Sequence, residues 1–223
     1  MRFSEADHAL VTEAVAQAEL ATNGEIVAIV AARSDRYGDV GVLWAVLAML
    51  STLTLLAWRP GIAERLYRMM TDEWAPVVPA SKLLLIALLL TSMAFLIVSG
   101  LMASAPLRML LTPETTKAGR VHRHALDLFR VAVERRTRAA TGVLLYVSLA
   151  ERRAEIVADH AIHSRVDKEV WGEAMHVLVS AIHDGRPGEG MRDAVAQAGM
   201  VLAEHFPNNG ANANELPDRL IEL

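Results

Sequence analysis

Residues 40–58 read VGVLWAVLAMLSTLTLLAW, nineteen in a row without a charged side chain, and the rest of the chain must be arranged around them. At about 1.5 Å of rise per residue, a helix of this length comes close to crossing a hydrocarbon core of about 30 Å. A second uncharged run, LLLIALLLTSMAFLIVSGLMASAPL, occupies residues 83–107 between Lys82 and Arg108. Pro106 places its last turn at an interface, so the second span is read as 83–103. The alternative, two buried core helices, would require the remaining residues to wrap both runs on all sides, which is more than a domain of this size can do. The chain is therefore expected to hold a transmembrane hairpin at 40–107, with a polar linker over 59–82.

Two spans put both flanking segments on the same side of the bilayer. The first run begins near residue 40 behind an amphipathic segment, so no secretory signal is read there. Near the membrane the flanks carry Arg33, Arg36, Arg108, Lys117, Arg120 and Arg123, against Arg59, Arg65, Arg68 and Lys82 in the linker. The positive-inside rule then places the flanking domain in the cytoplasm. Gly41 with Ala45, and Gly100 with Ser104, are small-residue pairs at the spacing that lets membrane helices approach closely.

The composition agrees. Of 223 residues 53% are apolar, and the excess is concentrated in the two runs. A net charge of −4 argues against a general nucleic-acid binder, and the absence of cysteine excludes disulfides and thiolate chemistry.

Outside the hairpin the periodicities are those of a small α/β domain. Ser4 and Asp7 form a capping-box pattern ahead of Leu10, Val11, Ala14, Val15, Ala18 and Ala21, an amphipathic helix that Asn23-Gly24 would cap at its C-terminus. Glu25–Ala32, EIVAIVAA, is a short, β-branched, apolar strand. Beyond the hairpin, Thr115 or Thr116 can cap a helix with the stripe Val121, Ala125, Leu128, Phe129 and Ala132. Residues 142–149, GVLLYVSL, and 153–158, RAEIVA, predict a strand hairpin. Two amphipathic helices follow, one carrying Val170, Trp171, Ala174, Leu178 and Ile182, the other Met191, Val195, Ala198 and Leu202, separated by the turn residues 185–188, GRPG. Residues 207–223 are Asn-rich and predict a mobile tail. One strand cannot form a sheet alone, so the strand before the hairpin must pair with those after it. Residues 1–39 and 108–206 then form a single α/β (α+β) domain, a small mixed sheet flanked by helices and interrupted by the hairpin.

Candidate functional residues cluster in two loops. Asp159, His160 and His163 follow the third strand, where α/β folds often carry function, and Asp with His can ligate a metal or exchange protons. A polar strand-to-helix connection is the blander reading. Glu151, Arg152 and Arg153 occupy the turn between the second and third strands, where two guanidinium groups can bind phosphate or simply stay wet. Glu25, at the start of the first strand, and Asp35 are further carboxylates that could converge with Asp159. His122 and His124, two apart on a helix, cannot chelate together, and His176 and His183 fall on a polar stripe. Arg135, Arg136 and Arg138 form a basic cluster suited to a helix C-terminus. P-loop, GxGxxG, HExxH and GxSxG patterns are absent from the sequence.

The stretches TGVLLYVSLAERR (141–153), AEIVADHAI (154–162), Val170-Trp171 and DGRPGEG (184–190), with NGEIV (23–27) ahead of the hairpin, resemble the TPM domain family, and more narrowly its bacterial branch of membrane proteins. The resemblance covers about residues 3–39 and 115–206. It implies a small mixed sheet flanked by helices, and a divalent cation such as calcium as cofactor. Plant relatives in the thylakoid lumen are associated with photosystem II repair and acid phosphatase activity, and an animal relative is an auxiliary subunit of a receptor channel. Where relatives carry a Gly-Tyr-Gly type loop after the third strand, this chain has Ala158-Asp159-His160. The two uncharged runs and the resemblance to a bacterial branch together predict a bacterial inner-membrane protein, its partners the lipid bilayer and other membrane proteins. With no catalytic constellation in the sequence, the expected role is a non-catalytic binding or auxiliary module. The alternative is a metal-dependent, acid phosphatase-like hydrolase with Asp159 and Glu25 as metal ligands or acid/base groups and Arg152 or Arg153 on phosphate.

Overall fold

The computed structural model describes residues 3–71, 77–134, 141–166, 168–209 and 216–223. The chain divides into two compact units, Met1–Asp35 with Pro113–Leu223, and Arg36–Thr112. In chain order the elements are α1 (Glu5–Glu19), β1 (Glu25–Ala31), α2 (Gly38–Trp58), α3 (Gly61–Met70), α4 (Ala80–Met102), α5 (Ala105–Leu111), α6 (Glu114–Phe129), β2 (Gly142–Ser148), β3 (Arg153–Ala158), α7 (His160–His163), α8 (Trp171–His183), α9 (Pro187–His205) and β4 (Ile221–Glu222).

In the first unit the described strands form one mixed sheet in the order β3-β2-β1-β4. β1 runs parallel to β2, with Glu25 opposite Gly142 and Ala31 opposite Ser148. β2 and β3 are antiparallel, with Val143 opposite Ala158 and Ser148 opposite Arg153. All seven positions of β1 and of β2 are buried, as their unbroken apolar runs require. Alternation along the strands sorts these side chains onto two faces. Ile26, Ala28, Val30, Val143, Leu145 and Val147 join α1, α8 and α9 through Val15, Leu178, Val195 and Leu202. Val27, Ile29, Leu144 and Tyr146 face the α6 stripe of Val121, Ala125 and Phe129. The result is a mixed α+β fold of three layers, helix on sheet on helix.

Helix ends explain several boundaries. Ser4 Oγ accepts from the Asp7 N–H at 3.1 Å while Asp7 Oδ2 accepts from the Ser4 N–H at 2.8 Å, the capping box predicted for α1. Asn23-Gly24, however, is not a C-cap. Helix α1 ends at Glu19 with Leu20 still in the right-handed region, and Gly24 instead sits where an added Cβ would lie 3.0 Å from Leu202 Cδ1 and 3.3 Å from the Thr141 carbonyl. Its role is close approach rather than an unusual backbone angle. Nor does a threonine cap α6: Pro113 holds the N-cap position, and its carbonyl accepts from Thr116 and Lys117 N–H at 3.0 and 3.1 Å. The turn before α9 follows the predicted chemistry, with Gly185 at φ 78 after α8 and Pro187 in the first turn of α9.

The last residues depart from the expected tail. Ile221 and Glu222 form β4, parallel to β1 through Ile29 and Val30, and Leu216 and Leu220 are buried. Two leucines over a polar Asn-rich segment are too few for a periodicity to register, yet they suffice to dock a sheet edge. Residues 210–215 and the Arg135, Arg136 and Arg138 cluster lie outside the described residues.

In the second unit α2 and α4 are 21 and 23 residues long, enough for about 31 and 34 Å of helix. Both are long and apolar enough to cross a membrane, and only 22% and 11% of their most apolar windows are buried. Core helices of a soluble domain would be mostly covered. Gly41 and Ala45 are buried, and a Cβ on Gly41 would meet Met102 Cβ at 3.2 Å. This small pair is what lets the helices approach, whereas Gly100 and Ser104 are exposed.

Candidate functional site

The seven-residue length of β1 separates the candidate residues into two groups about 20 Å apart along the strand axis. Glu151, Arg152 and Arg153 sit at the β2–β3 turn, whereas Glu25 and Asp159 lie at the other end of the sheet.

The turn is bound to the chain leaving β1. Leu149 and Ala150 N–H groups donate to the carbonyls of Ala31 and Ala32 at 3.0 and 3.1 Å. Glu151 is buried, and its Oε1 accepts from the Ser34 N–H at 3.1 Å while Oε2 accepts from the Ser148 hydroxyl. Ser34 Oγ also bonds the Tyr146 hydroxyl at 2.9 Å. Burial pushes the Tyr146 phenol above its ordinary range despite the hydrogen bonds from Ser34 and Ser148, and the nearby Glu151 charge adds to that. Arg152 closes the turn, its N–H donating to the Leu149 carbonyl at 3.3 Å, with a left-handed φ of 50. A left-handed residue after a tight turn is what the strand twist demands in hairpins of this length, and a non-glycine residue there carries about 1 kcal/mol of strain.

Beside this turn lies a cleft of about 620 Å³, lined by Glu114 and Lys117 of α6, Glu151, Arg152 and Arg153 of the turn, and His183 of α8, over a floor that includes Met175 and Val179. Glu114 bridges Lys117 Nζ at 2.7 Å and Arg153 Nη2 at 3.0 Å, and these two cations hold its carboxyl below the usual range. Three cationic side chains against Glu114 and Glu151 leave the lining with one positive charge when His183 is neutral. Such a lining can hold an anionic group by charge-assisted hydrogen bonds. Glu151 thus links the chain leaving β1, at the Ser34 amide, to the end of β2, at the Ser148 hydroxyl.

At the opposite end Asp159 is also buried, and its Oδ2 accepts from the Gly142 N–H at 2.9 Å while its carbonyl accepts from Ile162 and His163 N–H at 3.0 and 3.1 Å. It ties the end of β3 to the start of β2 and opens the single turn of α7, on which His160 and His163 are exposed. Glu25 Oε2 accepts from the Leu216 N–H at 3.2 Å. Glu25 and Asp159 flank Gly142 from the two strands on either side of β2, about 10 Å apart along the sheet. Asp35 belongs to the far end, paired with Arg120 Nη1 at 2.5 Å. A calcium site needs six or more converging oxygens, and this carboxylate set does not supply them. Among the described residues no three His, Asp or Glu side chains come together as metal ligands.

Sequence reasoning missed three of the cleft residues, Glu114, Lys117 and His183. The Glu114–Lys117 spacing is visible as an i,i+3 pair, but its meeting with Arg153 is tertiary. It also missed Glu19, whose carboxylate accepts from the Ile26 N–H at 2.8 Å. Burial, with Glu25 and Asp218 nearby, pushes its pKa up to about 8 against the lowering effect of that hydrogen bond. The other histidines are spread out: His122 Nδ1 lies 3.3 Å from Glu155, His124 stacks edge-on to Tyr146, and His176 is exposed.

Residues 103–201 match the family model of the TPM domain. No curated protein matches the chain. Among solved structures, the chain is similar to the NMR structure of the BA42 protein from the psychrophilic bacterium Bizionia argentinensis, with a TM-score of 0.56 over 100% of this chain and 97% of that one. At 16% identity this is a likeness of fold. β1, before the hairpin and outside the matched range, completes the sheet that the matched residues begin. The match over residues 103–201 is to the same TPM domain family that the strand and turn sequences resemble.

Proposed function

We propose that this protein is a membrane-tethered binding module, its TPM domain facing the cytoplasm of a bacterium from the inner membrane and assisting other membrane proteins without catalysis of its own. One observation carries the reading. Glu151 and Asp159, the carboxylates that acid–base or metal chemistry would need, each hold a backbone amide at opposite ends of the sheet. The cleft at the turn is left with an excess of cationic groups, which suits the acidic segment of a partner.

The second reading, a phosphatase, draws on the same cleft, because Lys117, Arg152 and Arg153 also suit a phosphomonoester. The deciding experiment uses the detergent-purified full chain with a generic phosphomonoester, with and without calcium or magnesium, beside an Arg152→Glu/Arg153→Glu variant. Metal-dependent release of phosphate that the variant loses would make the protein an enzyme. Without turnover, crosslinking in membranes to specific membrane proteins, lost in the same variant, is the expected outcome.

A further inference from the structure

Between the two candidate spans, α3 is a short helix with two unlike sides. At about 100° per residue, Glu64, Arg65 and Arg68 gather on one side, while Ile62, Ala63, Leu66, Tyr67, Met69 and Met70 share a broad apolar arc. Part of that arc is already used. Ala63 and Tyr67 are buried in a cluster with Leu56 near the end of α2 and with Val78 and Ile86 near the start of α4. Lys82, in the first turn of α4, donates to the Tyr67 hydroxyl and lies 5.0 Å from its ring centroid. These contacts fix α3 at the level where both long helices end.

The rest of the arc is uncovered: Met69 is 84% exposed, Met70 74% and Ile62 39%, and Trp58 at the end of α2 is 79% exposed. Arg59, Arg65 and Arg68 are exposed, and Lys82 is half-buried. Trp and Tyr with long basic side chains at a helix end are the residues that anchor in the headgroup layer, where an apolar arc enters the acyl boundary and the cations stay with phosphate. Glu64, and Asp72 and Glu73 in the sequence, offset most of that positive charge, so the apolar arc rather than net charge supplies the attraction.

We infer that α3 lies in the headgroup layer of the bilayer, at the level where α2 ends and α4 begins, with Ile62, Met69 and Met70 entering the acyl boundary and Arg65 and Arg68 on the lipid phosphates. The inference rests on α2 and α4 crossing the bilayer. It makes the linker a lipid-binding element rather than a passive loop.

The chain has no cysteine, so each introduced thiol is unique. The full chain, in nanodiscs of mixed phosphatidylglycerol and phosphatidylethanolamine, is labelled with an environment-sensitive fluorophore at Ile62→Cys, Met69→Cys or Met70→Cys. Arg65→Cys and Arg68→Cys report the polar side, and Leu47→Cys and Leu89→Cys report the spans. Circular dichroism of each variant confirms that it is folded. Labels at 62, 69 and 70 are expected to be quenched severalfold more by a shallow lipid-borne quencher than by an aqueous one, with the reverse order at 65 and 68. Aqueous quenching at 62, 69 and 70 with lipid quenching at 47 and 89 overturns the inference alone. Protection of 62, 69 and 70 from both quenchers also overturns it, since another protein surface, such as a second copy, would then cover the arc. Aqueous quenching at 47 and 89 removes the membrane reading itself.

Discussion

Glu19 illustrates how much one side chain can hide at the residue scale. It ends α1, accepts from the first amide of the β1 interior, and shares its surroundings with Glu25 and Asp218. Its folded-state pKa of about 8 lies well above its value of 4.5 in the unfolded chain. The folded protein therefore holds this proton more tightly than the unfolded one. Its contribution is fully present below about pH 4.5 and is lost as pH rises toward 8. Glu19→Gln keeps an acceptor for the Ile26 amide and removes the titration. After discounting for its partial exposure, the variant should be about 1–2 kcal/mol more stable than the natural chain at pH 8 and equal to it near pH 4. Thermal melts of both proteins across that range check the sign. Equal melting temperatures at pH 8 would show that Glu19 is solvated well enough to ionise freely. Asp159 belongs to the same scale: Asp159→Ala frees the buried Gly142 amide and should cost about 1–3 kcal/mol of stability, read by denaturant unfolding.

At the scale of the element, β4 is two residues long and yet finishes the sheet. The Ala32 N–H donates to the Leu223 carbonyl at 3.1 Å, and the Leu223 N–H donates to the Val30 carbonyl at 2.9 Å, so residues 221–223 cover an edge of β1. Leu216 and Leu220 are each only 4% exposed. Burying a leucine stabilises by about 1.5–3 kcal/mol, so a chain ending at residue 215 should lose about 3–6 kcal/mol, much of the stability of an ordinary domain. A drop in melting temperature of more than about 10 °C, with increased aggregation, is expected by scanning calorimetry. An unchanged melt would mean that these residues pack without contributing.

At the scale of the whole molecule, the α+β unit is interrupted between Asp35 and Pro113, yet its own residues close around the gap. The Asp35–Arg120 ion pair keeps the outgoing chain close to α6, which begins at Glu114. Replacing residues 36–112 by about eight Gly/Ser residues, which span about 15 Å, should therefore give a water-soluble protein with one cooperative unfolding transition. The full chain should need detergent for extraction. A molten or aggregated excised domain would show that the helical unit helps to fold its host.

The sequence alone determined the local features, because their signals are local. Uncharged runs of membrane length mark α2 and α4, two unbroken β-branched runs mark β1 and β2, and the Ser4/Asp7 and Gly185–Gly188 patterns mark where helices start and stop. Even the pairing of β1 across the insertion follows from the fact that one strand cannot stand alone. What only the tertiary structure decided are the encounters between distant residues. Of the carboxylates singled out by type, Glu25, Glu151 and Asp159 turned out to accept from backbone amides and Asp35 to pair with Arg120. The cleft drew Glu114, Lys117 and His183 from two helices with no shared motif, and two leucines beyond an Asn-rich stretch closed the sheet. Periodicity reports which face a residue presents; it carries no information about which other residue that face will meet.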